Sequence, residues 1–179
     1  MDNWVLDQVE RWHDDAFDGG IDGLHRLSEN AFSGALITDD LQLLLVNGRV
    51  VGISGGDLAE LNGNGTTYMA PDPGVALLFA MRDESEEINR GFTDDTSFLE
   101  VHESLLSRNF SGFLRLSEYV LSGDYYVVYH GGKAIPVAFV GASERLHTGD
   151  DVLALADDEV GIYEVHRAPV TIEPVPDPI

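Results

Sequence analysis

Cysteine is absent and lysine is almost absent. With no Cys, disulfides, thiolate nucleophiles and Cys-ligated zinc are all excluded. Lys133 is the only lysine, and nine Arg complete the ten basic residues. These ten are scattered and form no stripe, which argues against the phosphate neutralisation that nucleic-acid binding requires. A helix lying on an anionic membrane surface is disfavoured for the same reason. Long hydrophobic runs are missing too: the apolar stretches at 43–46 and 74–81 are far too short to span a bilayer. The start, Met1 to Glu10, is acidic and amphipathic and lacks the basic opening and apolar run of a secretory leader. A soluble, cytoplasmic protein is the expectation.

What the chain does hold is acid. Nineteen Asp and thirteen Glu give a formal net charge of -22 on 179 residues. At ordinary ionic strength such a charge opposes compaction. In molar salt the Debye length falls to about 3 Å and much of that repulsion disappears. Short carboxylates that hold water and cations are then useful, and long lysine stems are not. The balance resembles proteins of extreme halophiles, and a requirement for high salt follows. Disorder is not implied, because 44% of residues are apolar, with two Trp, eight Phe and six Tyr. The length is sufficient to bury a substantial core.

Along the chain, Trp4, Val5, Val9 and Trp12 fall near one face of a short helix expected to end near Asp18-Gly19-Gly20, and Ile21, Leu24 and Leu27 mark a second helical piece over 21–30. Strands are expected over 32–37, 41–46 and 50–53, with Asn47-Gly48 as a hairpin turn, since both residues tolerate positive φ. Residues 75–81 read as a short apolar helix or a strand, and 82–93 as an exposed polar connection. Ser97 and Glu100 have capping-box spacing ahead of a helix over 98–108. Strands at 113–120, 125–130 and 134–140 follow, with Gly131-Gly132 as the second hairpin turn. Residues 152–156 and 160–165 are further candidate strands. The tail carries Pro169, Pro174, Pro176 and Pro178; a strand over 170–172 that closes the fold is expected, after which the chain reads as extended and as the start of a linker to a longer protein.

Ala31-Phe32-Ser33-Gly34 recurs as Asn109-Phe110-Ser111-Gly112. Each copy follows a helical segment and leads into a strand, a Gly-centred hairpin and a second strand. Asn47-Gly48-Arg49 corresponds in type to Gly131-Gly132-Lys133, at the cost of about six extra residues near 116–121 in the second copy. The expected fold class is therefore α+β, with two related units, each a helix on a small antiparallel sheet, combined in one sheet or sandwich. The units are expected at 1–92 and 93–168, with 169–179 as the Pro-rich tail.

The succession of helix, Phe-Ser-Gly-x-Leu, strand, hairpin and strand, over 24–53 and 101–139, resembles the PatA amino-terminal (PATAN) type domain. That resemblance implies an adaptor or protein-interaction role without catalytic residues. Met1 to Trp12 and 121–139 are also similar to an uncharacterised haloarchaeal domain family, which fits the acidity and supplies no activity.

No motif demands chemistry. The six histidines (His13, His25, His102, His130, His147 and His166) form no H-x-x-x-H pair, so no helix face offers two imidazoles to one ion. His13 beside Asp14-Asp15, and His147 near Asp150-Asp151, could join a metal site in three dimensions, but surface histidines among abundant acids are the simpler reading. The acidic pairs lack the closing Glu of a calcium loop. Gly52-Ile53-Ser54-Gly55-Gly56 lacks both the Walker lysine and a nucleophile-elbow pattern. No cofactor, metal or catalytic residue is expected. Tyr125 and Tyr129 share one face of a strand, and Tyr126 the other, so the group serves either a buried core or a docking face.

The function expected is a non-catalytic protein-interaction or signalling-adaptor domain, binding a protein partner or itself. The surface nominated for it comprises Asn47, Gly48, Tyr125, Tyr126, Tyr129, Gly131 and Gly132. Tyr126→Ala and Tyr129→Ala would then weaken association. The alternatives are an enzymatic or small-molecule-binding domain with a pocket between the two units, and a dimerisation domain of a longer coiled-coil protein.

Overall fold

The computed structural model describes residues 1–118, 123–141 and 144–176. Tyr119, the end of the 116–121 insertion and Pro178 lie outside the described residues. The fold is α+β, with two antiparallel sheets that belong to two compact units. The first unit is Met1–Asp83 together with the tail from Val170, and the second is Glu84–Pro169. Among the described residues no helix is long and apolar enough to cross a membrane.

The first unit opens with α1 (Asn3–Val9), whose N-terminus is capped by Asp2 accepting from the Val5 amide at 2.9 Å. Then come β1 (His13–Phe17), α2 (Gly20–Glu29), β2 (Gly34–Thr38), β3 (Gln42–Val46), β4 (Arg49–Ser54), a 3-10 turn at Leu58–Glu60, β5 (Gly65–Met69) and α3 (Pro73–Asp83). The sheet order is β1-β5-β2-β3-β4. The run Leu43-Leu44-Leu45 is buried throughout because both faces of β3 are covered. Leu43 and Leu45 join Phe17, Leu24, Leu36, Leu58 and Leu61 in one core cluster, and α3 packs against β3. Residues 75–81 are helical, and all but Ala80 are buried. An apolar helix enclosed on most sides shows no polar stripe, which is why its period was ambiguous in the sequence. Trp4 of α1 and Trp12 just after it close over it: Trp12 stacks on Phe79 at 5.5 Å, and Trp4 meets the same ring edge-on.

The second unit contains β6 (Glu86–Phe92), α4 (Phe98–Ser107), β7 (Gly112–Glu118), β8 (Gly123–His130), β9 (Lys133–Val140), β10 (Arg145–Thr148), α5 (Asp151–Asp157) and β11 (Ile162–Arg167). Its order, read from β6, is β6-β11-β7-β8-β9-β10. Strand for strand this repeats the first unit, with β10 added at the far edge. Helices α4 and α5 contribute Phe98, Val101, Leu105, Val152 and Ala156 to a core with Leu114, Leu116, Tyr125, Val127, Tyr129, Tyr163 and Val165.

Several expectations are corrected. Each unit has its own sheet, so no sheet is shared. The first unit ends at Asp83 instead of residue 92, because 86–92 is the edge strand β6 and not a loose connection. Its sequence, Glu-Glu-Ile-Asn-Arg-Gly-Phe, is almost wholly exposed, so burial imposes no alternation by which to recognise it. Residues 152–156 are helix α5, not a strand, and the first helix stops at Val9 instead of continuing towards Asp18, because 13–17 form strand β1. The tail from Val170 packs on the first unit: the Glu173 amide donates to the Val50 carbonyl at 2.9 Å, His25 Nε2 lies 2.6 Å from the Pro176 carbonyl, and Val175 joins the core. The tail thus bonds to β4, the edge strand of that sheet, which would otherwise be open to other chains. Truncation after Pro169 should destabilise the first unit by about 2–4 kcal/mol, from two hydrogen bonds and one half-buried valine. Chemical denaturation in molar salt measures this, and an unchanged midpoint would contradict the packing described.

Candidate functional site

The corner where α2 meets the sheet is built by the first Phe-Ser-Gly segment. After α2 the chain reverses through Ala31 at φ 53°, and the Phe32 amide returns to the Leu27 carbonyl at 3.0 Å, closing the helix end. The Ser33 carbonyl accepts from the Ala70 amide at 2.9 Å, and Ser33 Oγ accepts from the Asn47 amide at 2.8 Å. The Asn47-Gly48 turn, with φ 50° and 82°, has the paired positive values of a type I′ hairpin. Gly48 donates to the Phe32 carbonyl at 2.8 Å. A Cβ on Gly48 would stand 2.4 Å from the Ser28 carbonyl oxygen, so the hairpin tip is pinned to the end of α2.

Beside this pinned turn lies an open hollow of about 430 Å³, lined by Leu27, Asn30, Ala31, Phe32, Ser33, Asn47, Met69, Ala70 and Pro73. None of the nine is charged, in a chain where 23% of residues are. Met69 is 55% exposed and belongs to the wall. The hollow contains no titratable group, so it offers no acid, base or metal ligand. It can bind apolar groups and hydrogen-bond through Asn30, Ser33 and Asn47.

The equivalent corner of the second unit has the same backbone. Asn109 has φ 55°, the Phe110 amide returns to Leu105, and the Ser111 carbonyl accepts from the Ala168 amide. The Gly131-Gly132 turn is exposed, with φ 59° and 77°, and a Cβ on Gly132 would lie 3.3 Å from Asn109 Oδ1. Here Arg108 and Arg167 occupy the places of Asn30 and Met69, and both are exposed.

The tyrosines are elsewhere. Tyr125, Tyr126 and Tyr129 are 2%, 0% and 1% exposed, so the core reading holds and they offer no surface. Tyr129 reaches His102 on α4, with its hydroxyl 2.8 Å from Nδ1. Burial lowers the His102 pKa, against smaller opposing effects of Glu103 and Asp150, and burial raises that of Tyr129. Both groups therefore stay neutral and share one hydrogen bond inside the core. Of the seven nominated residues, the structure brings Asn47 to a hollow, leaves Gly48, Gly131 and Gly132 as turns, and buries the three tyrosines.

Among the described residues neither His13 nor His147 gathers a set of acidic ligands. The one grouping of three such side chains among the described residues is Glu87, Glu164 and His166. Glu164 and His166 stand two apart on one strand, the only sequence signal that could have indicated them. Met69 gave no signal at all. Comparison with protein families, curated proteins and solved structures finds no match to this chain.

Proposed function

We propose that this chain is a non-catalytic protein-interaction module of a salt-rich cytosol, and that the hollow beside Asn47 takes an apolar side chain of a protein partner. The observation that carries this is the hollow's lack of charge on a chain of net charge -22. In molar salt, ion pairs across an interface are screened, whereas apolar burial persists and strengthens with excluded salts. An uncharged recess rimmed by amide and hydroxyl groups is therefore the kind of contact suited to those conditions. The volume accommodates one or two large side chains and leaves the rim polar, as in small recognition pockets.

The test places a photo-crosslinking amino acid at Met69 in the native host, with a second probe at Ile172, which is 49% exposed. A discrete adduct from position 69 only, retained in molar KCl and removed by Asn47→Asp, is the expected result. The same adducts from both positions, or an adduct indifferent to Asn47→Asp, would refute the assignment.

A further inference from the structure

On β11, Tyr163 and Val165 point to the helices, so Glu164 and His166 point to the opposite face of the sheet. The β6 partners run Glu164↔Arg90 and Val165↔Asn89, and then His166↔Glu87, so Ile88 is skipped. This bulge places Glu87 opposite His166, where an unbroken ladder would place Ile88. One ligand atom from each of Glu87, Glu164 and His166 then lies within 4.8 Å of the other two. The imidazole is held from two directions. It stacks on Phe113 at 4.6 Å and 12°, and Nδ1 is 3.5 Å from Ser85 Oγ. Nε2 faces the carboxylates, 2.8 Å from Glu164 Oε1. A metal-ligating histidine is commonly oriented in this way by a partner on its other nitrogen.

The fold itself does not call for this cluster. In the first unit Met69 pairs with Gly34 and His13, as Arg167 pairs with Gly112 and Glu86. Counting back along the strands, Tyr68 stands for His166, Thr66 for Glu164 and Asp14 for Glu87. The β1–β5 ladder is unbroken. The same topology is thus completed with a single carboxylate, no imidazole and no bulge. The second unit alone holds all three ligands and the bulge that aligns them.

We propose that Glu87, Glu164 and His166 bind a divalent transition-metal ion of the zinc class. One imidazole and two carboxylates are a donor set that Zn²⁺ accepts. A cationic side chain now occupies the place: Arg90 Nη2 is 2.9 Å from Glu87 Oε1 and 3.6 Å from Glu164 Oε2. The Arg90 and Glu87 side chains are 49% and 38% exposed, and an exposed pair contributes little, less again in molar salt; the longer contact to the half-buried Glu164 is the one the ion must replace. Arg90 swings into solvent, and Glu87, on the exposed edge strand, closes towards the two residues of β11. Arg115, paired with Glu164 across the ladder, stays and moderates the affinity.

Co²⁺ titrated into the full chain in chelator-free molar KCl tests this, read by its visible absorption and by calorimetry. Molar K⁺ suppresses loose condensation on the other carboxylates. One saturable ion per chain, displaced by Zn²⁺, is expected. His166→Ala and Glu87→Gln should each weaken binding at least tenfold. Arg90→Gln should strengthen it, and His147→Ala should leave it unchanged. Should His166→Ala unfold by circular dichroism, Glu87→Gln, at the exposed edge, carries the comparison. Binding that is equal in wild type and Glu87→Gln, or weaker in Arg90→Gln, would overturn the site.

Discussion

Gly112→Ala should cost roughly 4 kcal/mol or more, enough to leave little folded protein. A Cβ at this position would stand 2.0 Å from the His166 carbonyl oxygen and 2.8 Å from the Phe110 ring, on a backbone at φ 149°. The obstructing atom belongs to the neighbouring strand β11, so relief requires opening the sheet. Gly34→Ala should do the same in the first unit, where the added carbon would meet the Tyr68 carbonyl oxygen at 2.0 Å and φ is 154°. Gly131→Ala is the control, since nothing lies within 4 Å of it; it should cost only about 1–2 kcal/mol for its left-handed backbone. Chemical denaturation in molar KCl distinguishes these outcomes. A Gly112→Ala protein within about 1 kcal/mol of wild type, the size of an ordinary surface change, would remove the explanation of why Phe-Ser-Gly occurs twice.

That explanation bears on how much could be read from the sequence. Phe-Ser-Gly marks the point where a helix ends, turns through a left-handed residue and enters a sheet too closely packed for a side chain. In this motif the glycine answers to the close approach of the neighbouring strand, while the Phe rings pack against the cores and Ser33 Oγ and Ser111 Oγ bond to backbone. The hairpins at Asn47-Gly48 and Gly131-Gly132 and the helix α4 were legible because their signals are local: paired positive φ, or a Ser97 cap accepting from the Glu100 amide at 3.2 Å. Strands β1 and β6 were not. His13 to Ala16 and Glu86 to Arg90 are exposed, and a strand held at an edge by one neighbour needs no apolar period. Helix α5 was misread because seven residues with Val152, Leu153 and Leu155 at mixed spacing fit either period.

The candidate site was legible only in part, for the same reason. Asn47 was nominated from its turn and 31–33 were noted as a repeat, but Leu27 of α2, Met69 of β5 and Pro73 at the start of α3, which complete the hollow, are distant in sequence and carried no signal of it. Glu87 and His166 face each other only because of a bulge, which leaves no mark on composition.

Tyr126→Ala should destabilise the second unit by about 3–5 kcal/mol, the usual range for deleting a large aromatic from a core. Its ring meets Phe113 at 6.0 Å and Phe139 at 6.2 Å, both edge-on, and the Arg115 guanidinium carbon lies 5.7 Å from its centroid. Alanine keeps none of the three contacts. Tyr129→Phe should cost much less, about 1–3 kcal/mol, because it keeps the volume and removes only the partner of His102 Nδ1. The measurements are denaturation midpoint and mass by light scattering, made on the same samples. A core role moves the midpoint, and changes mass only as the protein unfolds. Loss of association with the midpoint intact would restore the tyrosines to a docking face. Their burial argues against that outcome, because a side chain without exposed area meets a partner only after the sheet around it has opened.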